Sequence, residues 1–300
     1  MGELLAVASC LLFSANILMI GPAVKRLPQD LGFLLALSSN VAVAAVVVTV
    51  QYVVSSPGPV RWGALGLFAL GGLLTSYLGR WFFLRSVTTI GPTRASALQS
   101  TNPLFTGVAA WLLLGETLPP EAVLCGLTVL AGLYLTSRPT PSTRSVASSR
   151  LGSQSIPVTD ISLGLLGAAA YGLGNVARGA AVRDWEAPIV GGLAGAVAGL
   201  VLYGVFNTDL RKLPSALRGA DPAGRRMWLA AGVLTIGAQT CLIAASLYIP
   251  VAIGVVISSA VPLVVLPVGV LFFRRTEAVG PVTAAGALLI LLGVAGLVLT

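Results

Sequence analysis

Residues 90–135 read IGPTRASALQSTNPLFTGVAAWLLLGETLPPEAVLCGLTVLAGLYL. Two apolar runs, 94–114 and 121–137, flank the turn chemistry of Gly115-Glu116 and Pro119-Pro120. Each run is long enough to cross about 30 Å of hydrocarbon as a helix. The first run carries Gln99, Ser100, Asn102 and Pro103 in its interior. Polar side chains and proline are uncommon at such depth, so this stretch marks a membrane helix with work to do.

The same pattern recurs 159 residues later. Ile90 aligns with Ile249, Pro103-Leu104 with Pro262-Leu263, and Leu112 with Leu271. Without a gap the alignment extends upstream, pairing Leu4 with Leu163, Asn16 with Asn175, Gly32 with Gly191 and Leu34 with Leu193. The Asn and Pro matches weigh most, because Leu and Gly coincide by chance in so apolar a chain. A duplicated half in a membrane protein points to a transporter whose two halves rock about a shared site.

Composition agrees. Hydrophobic residues make up 56% of the chain and charged residues 9%, with a mean hydropathy of +0.94. A soluble domain carries roughly 25% charge, so an all-α, multi-pass membrane protein is expected. Ten spans can be placed, at 3–21, 31–54, 62–84, 94–114, 121–137, 159–182, 187–206, 227–247, 250–273 and 280–299. Residues 138–158, rich in Ser, Thr, Pro and Arg, form a flexible linker between a first repeat, 1–137, and a second, 159–300. Five spans per repeat is an odd number. The second repeat therefore enters the membrane from the opposite side, and the two are inverted.

The net charge of +8 sits in short loops, a topology signal rather than a nucleic-acid surface. Loops after odd-numbered spans hold fourteen Lys and Arg, while the opposite face holds three, Arg61, Arg178 and Arg183. This places both termini outside the cell membrane. The start of the chain has Glu3 as its only charged side chain, so no cleaved leader is expected.

Cys10, Cys125 and Cys241 fall within apolar spans and read as packing residues. Histidine is absent, which excludes a His metal site or proton relay. No carboxylate pair, nucleophile with a base or phosphate-binding glycine loop occurs, so no catalytic residues, metal or cofactor are expected and the chain is not read as an enzyme. Gly191, Gly195 and Gly199 make a small-residue stripe on one helix face, suited to close helix packing.

No Asp or Glu lies deep in a span, but Arg80 falls about one turn inside the end of the third, between Tyr77 and Trp81. Arg at mid-membrane costs ~2.5–3.5 kcal/mol, less where it can snorkel. It either reaches the interface or lines a cavity for an anionic or zwitterionic substrate. The candidate substrate-binding residues are Asn16, Tyr77, Arg80, Gln99, Asn102, Tyr171, Asn175 and Gln239. Pro103 and Pro262 are expected to kink their helices, freeing the carbonyls of Gln99 and Ser258 beside polar side chains. The matched pairs are expected to face one cavity.

The stretch quoted above resembles the end of an EamA repeat of the drug/metabolite transporter superfamily, through Pro103, Gly115-Glu116, Gly126 and Gly132. The second copy, VPLVVLPVGVLFFRRTEAVGPVTAAGALLILLGVAG, keeps Pro262, Glu277, Gly286 and Gly293. It departs in having Arg275-Thr276 before the Glu and two extra residues between Pro and Glu. The resemblance implies a secondary transporter, often an exporter of amino acids, other metabolites or drugs, with its site between the halves and both termini in the cytoplasm. The last point disagrees with the Lys and Arg count. The expected partners are a small-molecule substrate and the lipid bilayer, with no nucleic acid; the chain acts as a monomer or homodimer. A flippase for lipid-linked or phosphate headgroups and a non-transporting receptor or assembly subunit are the alternatives.

Overall fold

The computed structural model describes residues 1–55, 59–90, 92–136, 158–207, 219–273 and 280–299. All secondary structure among them is helical: α1 Gly2–Val24, α2 Gln29–Ser55, α3 Trp62–Gly72, a π-helical segment Leu73–Gly79, α4 Arg80–Ile90, α5 Pro92–Gln99, α6 Asn102–Leu114, α7 Pro120–Thr136, α8 Val158–Asp184, α9 Pro188–Asn207, α10 Pro222–Ala245, α11 Val251–Ser258, α12 Pro262–Phe273 and α13 Pro281–Leu299. The linker expected at 138–158 lies almost entirely outside the described residues, as do Arg274, Arg275 and Glu277.

Seven helical stretches among the described residues are long and apolar enough to cross a membrane: Gly2–Val24, Gln29–Val54, Trp62–Val87, Pro188–Phe206, Pro222–Ala245, Val251–Val268 and Pro281–Leu299. Three of the expected spans fall short for separate reasons. Residues 94–114 are divided between α5 and α6. α7 has 17 residues. α8 is long enough at 27 residues, but its glycines, Tyr171, Asn175 and Arg178 dilute its apolar character. Many large apolar side chains stand exposed on the helix faces, among them Trp111, Leu112 and Leu113 on α6. On a water-soluble protein so much exposed apolar surface would be a liability; against lipid it is the ordinary outer face.

The helices gather into two compact units, one built from Met1–Tyr77 and Gly174–Ile249, the other from Leu78–Leu173 and Pro250–Thr300. The boundaries fall within the π-helical segment, within α8, and at the turn before α11. Each unit therefore draws on both sequence repeats.

In the first unit α10 is the hub, packed against α1, α2 and α9. Its start is set by Asp221, whose carboxylate accepts from the N–H groups of Ala223 (3.2 Å) and Gly224 (3.3 Å), with Pro222 in the first turn. Gly232 lets α2 come close, since a Cβ there would run into the Ala36 carbonyl and Ser39. Gly32 makes room for the buried Trp228 ring in the same way. The stripe of α9 meets α3 and the π-helical segment after it in register: Gly191 against Phe68, Gly195 against Gly72, Gly199 against Ser76. This is the packing seam the sequence suggested. Lipid supplies no hydrophobic drive between helices, so such backbone contact is what holds them.

In the second unit α7 and α13 run antiparallel along a similar seam. A Cβ on Gly132 would stand 2.6 Å from the Gly286 carbonyl oxygen, and one on Gly293 would stand 2.7 Å from that of Cys125. α11 packs on α6 and α7, and all but one of its eight residues are buried. The N-terminal part of α8 lies against Leu98 through Gly164 and against Phe105 and Thr106 through Gly172.

Candidate functional site

The second unit contains both interrupted helices, and the two interruptions match. α5 begins at Pro92 and ends at Gln99; α11 begins at Val251 and ends at Ser258, each bound displaced by 159. The hydrogen bonds that close the breaks match as well. Ser100 N–H and Oγ both donate to the Ser96 carbonyl at 3.0 Å. Ser259 N–H and Oγ donate to the Val255 carbonyl at 3.0 and 2.7 Å. Thr101 N–H donates to Leu98 O, and Ala260 N–H to Ile257 O. Leu104 N–H donates to Thr101 O, and Leu263 N–H to Ala260 O. Every one of these second-break bonds stands 159 residues after its first-break counterpart.

The prolines do not kink continuous helices. Pro103 is the second residue of α6 and Pro262 the first of α12. A first turn has no intrahelical use for the missing N–H, and the fixed φ of proline suits it. The chain instead turns at Ser100-Thr101 and at Ser259–Val261, where hydroxyls reach back to carbonyls and cap the preceding half-helix.

Four of the expected site residues belong to this unit: Arg80, Gln99, Asn102 and Tyr171. Gln99 ends α5, and its Oε1 is buried with no hydrogen-bond partner among the described residues. Asn102 opens α6 and accepts from Thr106 Oγ1, at 3.0 Å through its carbonyl and 3.3 Å through Oδ1. Arg80 is the first residue after the π-helical segment, half-buried, with its Nε shielded from solvent. Tyr171 is half-buried on α8.

The other four belong to the first unit. Asn16 is buried, and its amide donates at 2.6 Å to both the Ala231 carbonyl and Thr235 Oγ1 of α10. Two more side chains grip the same stretch of α10. Ser39 Oγ donates to the Leu229 carbonyl (2.8 Å), and Asn40, with its amide oriented to donate, reaches the Gly232 carbonyl. Tyr77 lies beside Phe206, with ring centroids 5.9 Å apart and the planes tilted by 37°. Asn175 and Gln239 are half-buried on α8 and α10.

Sequence reasoning misplaced one cation. Arg178, counted among the basic residues of the less charged face, is 4% exposed and lies about 9 Å of helix rise short of the end of α8 at Asp184. Its side chain runs between Gly71 of α3 and Gly195 of α9, whose missing Cβ atoms give it room. The glycines facing it were the signal that could have placed it. The C-terminal end of α8 carries the surface charges instead. Asp184 pairs with Arg61 at 2.6 Å, and Arg183 Nε–H donates to the Ser246 carbonyl.

A sequence model of the EamA-like transporter family matches residues 1–138 and again residues 159–299. The chain belongs to the EamA-like transporter family. It is accordingly a multi-pass membrane transporter of the drug/metabolite transporter superfamily. A solved structure described as "Crystal structure of protein" is similar at 20% identity, with a TM-score of 0.74, covering 99% of this chain and 96% of its own. At that identity the likeness speaks for the fold. Comparison with curated protein sequences finds no match.

In this EamA-like chain the Gly115-Glu116 turn has a specific geometry. Gly115 adopts φ +65, the left-handed conformation that ends α6, and its N–H returns to the Ala110 carbonyl. Glu116 then accepts a hydrogen bond from the Val251 N–H at 3.0 Å, the first residue of α11. The N-terminal end of α11 is thereby held at the C-terminal end of α6.

Proposed function

We propose that the protein is a secondary transporter working by alternating access, exporting a small polar metabolite, anionic or zwitterionic, of which an amino acid is the simplest example. The observation that carries this reading is the matched pair of interrupted helices in the second unit. Interrupted helices at corresponding positions of two repeats are where transporters of this architecture bind substrate, because half-helix ends offer oriented partial charges at membrane depth.

Among the polar side chains of the second unit, two suit a zwitterion. Gln99 Oε1 is an acceptor awaiting a donor, as an ammonium group would supply. Arg80 brings the cation for a carboxylate. Tyr171 and Asn102 belong to the same unit as Gln99 and Arg80; Tyr77, Asn175 and Gln239 belong to the first. Asn16 is assigned to packing, since its amide nitrogen is engaged by α10. The full topology in this reading is ten spans in two inverted repeats, with α5–α6, α7 and α8 crossing as well. The basic loops face the cytoplasm and both termini face out.

The experiment is counterflow into liposomes containing purified protein, screened against amino acids, organic acids and cationic drugs. Uptake of zwitterions or anions that weakens in Arg80→Ala supports the reading. Uptake of cations alone would remove the argument from Arg80.

A further inference from the structure

We propose that Glu116 is a positioning residue for transport, holding half-helix α11 in place so that the break at Ser258–Val261 keeps its level in the membrane. This rests on the transporter reading above and adds a residue to it. The start of an α-helix leaves N–H donors without intrahelical partners, and a side chain just before the helix usually satisfies one. α11 has no such side chain of its own. Its N-cap is Pro250, in non-helical geometry at φ −53 and ψ 139, and no side-chain cap is made there. The acceptor comes instead from Glu116, far away in sequence, at 3.0 Å from the Val251 nitrogen.

Two features make this more than a turn contact. The left-handed Gly115 redirects the chain immediately before Glu116, so the end of α6 aims the carboxylate at α11. A carboxylate is also the right charge for the positive end of a helix dipole. α11 is only eight residues long and does not continue into α12 as a helix, since the helix ends at Ser258. Its neighbours α6 and α7 offer it apolar and small surfaces, with Gly107 facing Ala252. Such surfaces resist sliding weakly, whereas a charge-assisted hydrogen bond fixes one end. What Glu116 fixes at Val251 is passed along one short helix to the buried Ser258 at the break.

The test uses the full-length protein in liposomes with two readouts: hydrogen–deuterium exchange over 250–258, and Vmax and KM for counterflow of a radiolabelled mixture of zwitterionic amino acids. Glu116→Ala is expected to speed exchange by at least about tenfold, the factor set by a lost charge-assisted hydrogen bond. It lowers Vmax while leaving KM near the wild-type value. Glu116→Gln keeps an acceptor oxygen but not the charge and restores both in part, and Glu121→Ala, an exposed acid at the start of α7, changes neither. Unchanged exchange in Glu116→Ala overturns the proposal, as does a wild-type Vmax in the face of faster exchange. Should wild-type vesicles carry none of these probes, the amino-acid reading falls, and exchange over α11 alone decides whether Glu116 holds it.

Discussion

Asn16 and Gln99 are both amides inside apolar segments, and both stood out in the sequence for that reason. In the structure the Asn16 amide is committed to the Ala231 carbonyl and Thr235 hydroxyl, while Gln99 Oε1 is buried without a partner. Nothing local could have told them apart, because the partners of Asn16 lie on α10, at the far end of the chain. Asn16→Ala should therefore destabilise the protein by about 1–2 kcal/mol, within the range of interhelical side-chain hydrogen bonds in lipid. Thermal unfolding in detergent measures this; substrate preference among the molecules that remain folded should not change. A shifted preference with unchanged stability would return Asn16 to the substrate site. Arg178 teaches the same lesson. Its position near the end of a span had it counted with the charges at the membrane face, and only the opposing Gly71 and Gly195 reveal a channel for its side chain.

At the scale of elements, the sequence announced an interruption at Pro103 and Pro262 but not its form. A proline inside a helix removes one hydrogen bond; a proline in a first turn removes none. The hydroxyls of Ser100, Thr101 and Ser259 supply the missing piece, closing each half-helix one turn before the proline. Pro103→Ala should accordingly leave the break in place and cost little, with counterflow retained near the wild-type rate. Loss of transport in that variant would show that the proline itself, not the self-capped turn, makes the interruption. The start of α10 offers a second test. The hydrogen bond from Arg26 and those from the Ala223 and Gly224 N–H groups hold the Asp221 carboxyl below the ordinary Asp range. A carboxyl whose folded pKa is lowered stabilises above its unfolded value, about 3.9, and that contribution drains away as pH falls through the folded value. Amide protection over the first turn of α10 should thus decline on acidification below the usual Asp range. Asp221→Ala should show low protection there at every pH. An identical pH profile in the two proteins would remove Asp221 as the cap.

At the scale of the whole molecule, the repeat offset that aligns Pro103 with Pro262 also aligns the hydrogen bonds closing the two breaks. Composition and span length made the membrane class legible, and the EamA motifs made the family legible. The compact units were not legible, because each gathers helices from both repeats and rests on pairings such as α1 with α10 that no local pattern encodes. Substrate identity is equally remote from pattern; in the proposed function it rests on a few polar side chains of the second unit, Gln99 and Arg80 first among them. The most direct test of that account is saturable counterflow of amino acids by wild-type protein and by Gln99→Leu, reconstituted at matched amounts. The account predicts saturable uptake in the wild type and a loss of roughly tenfold in Gln99→Leu, the value of one substrate hydrogen bond, with thermal stability unharmed. Full, selective uptake by Gln99→Leu would contradict it.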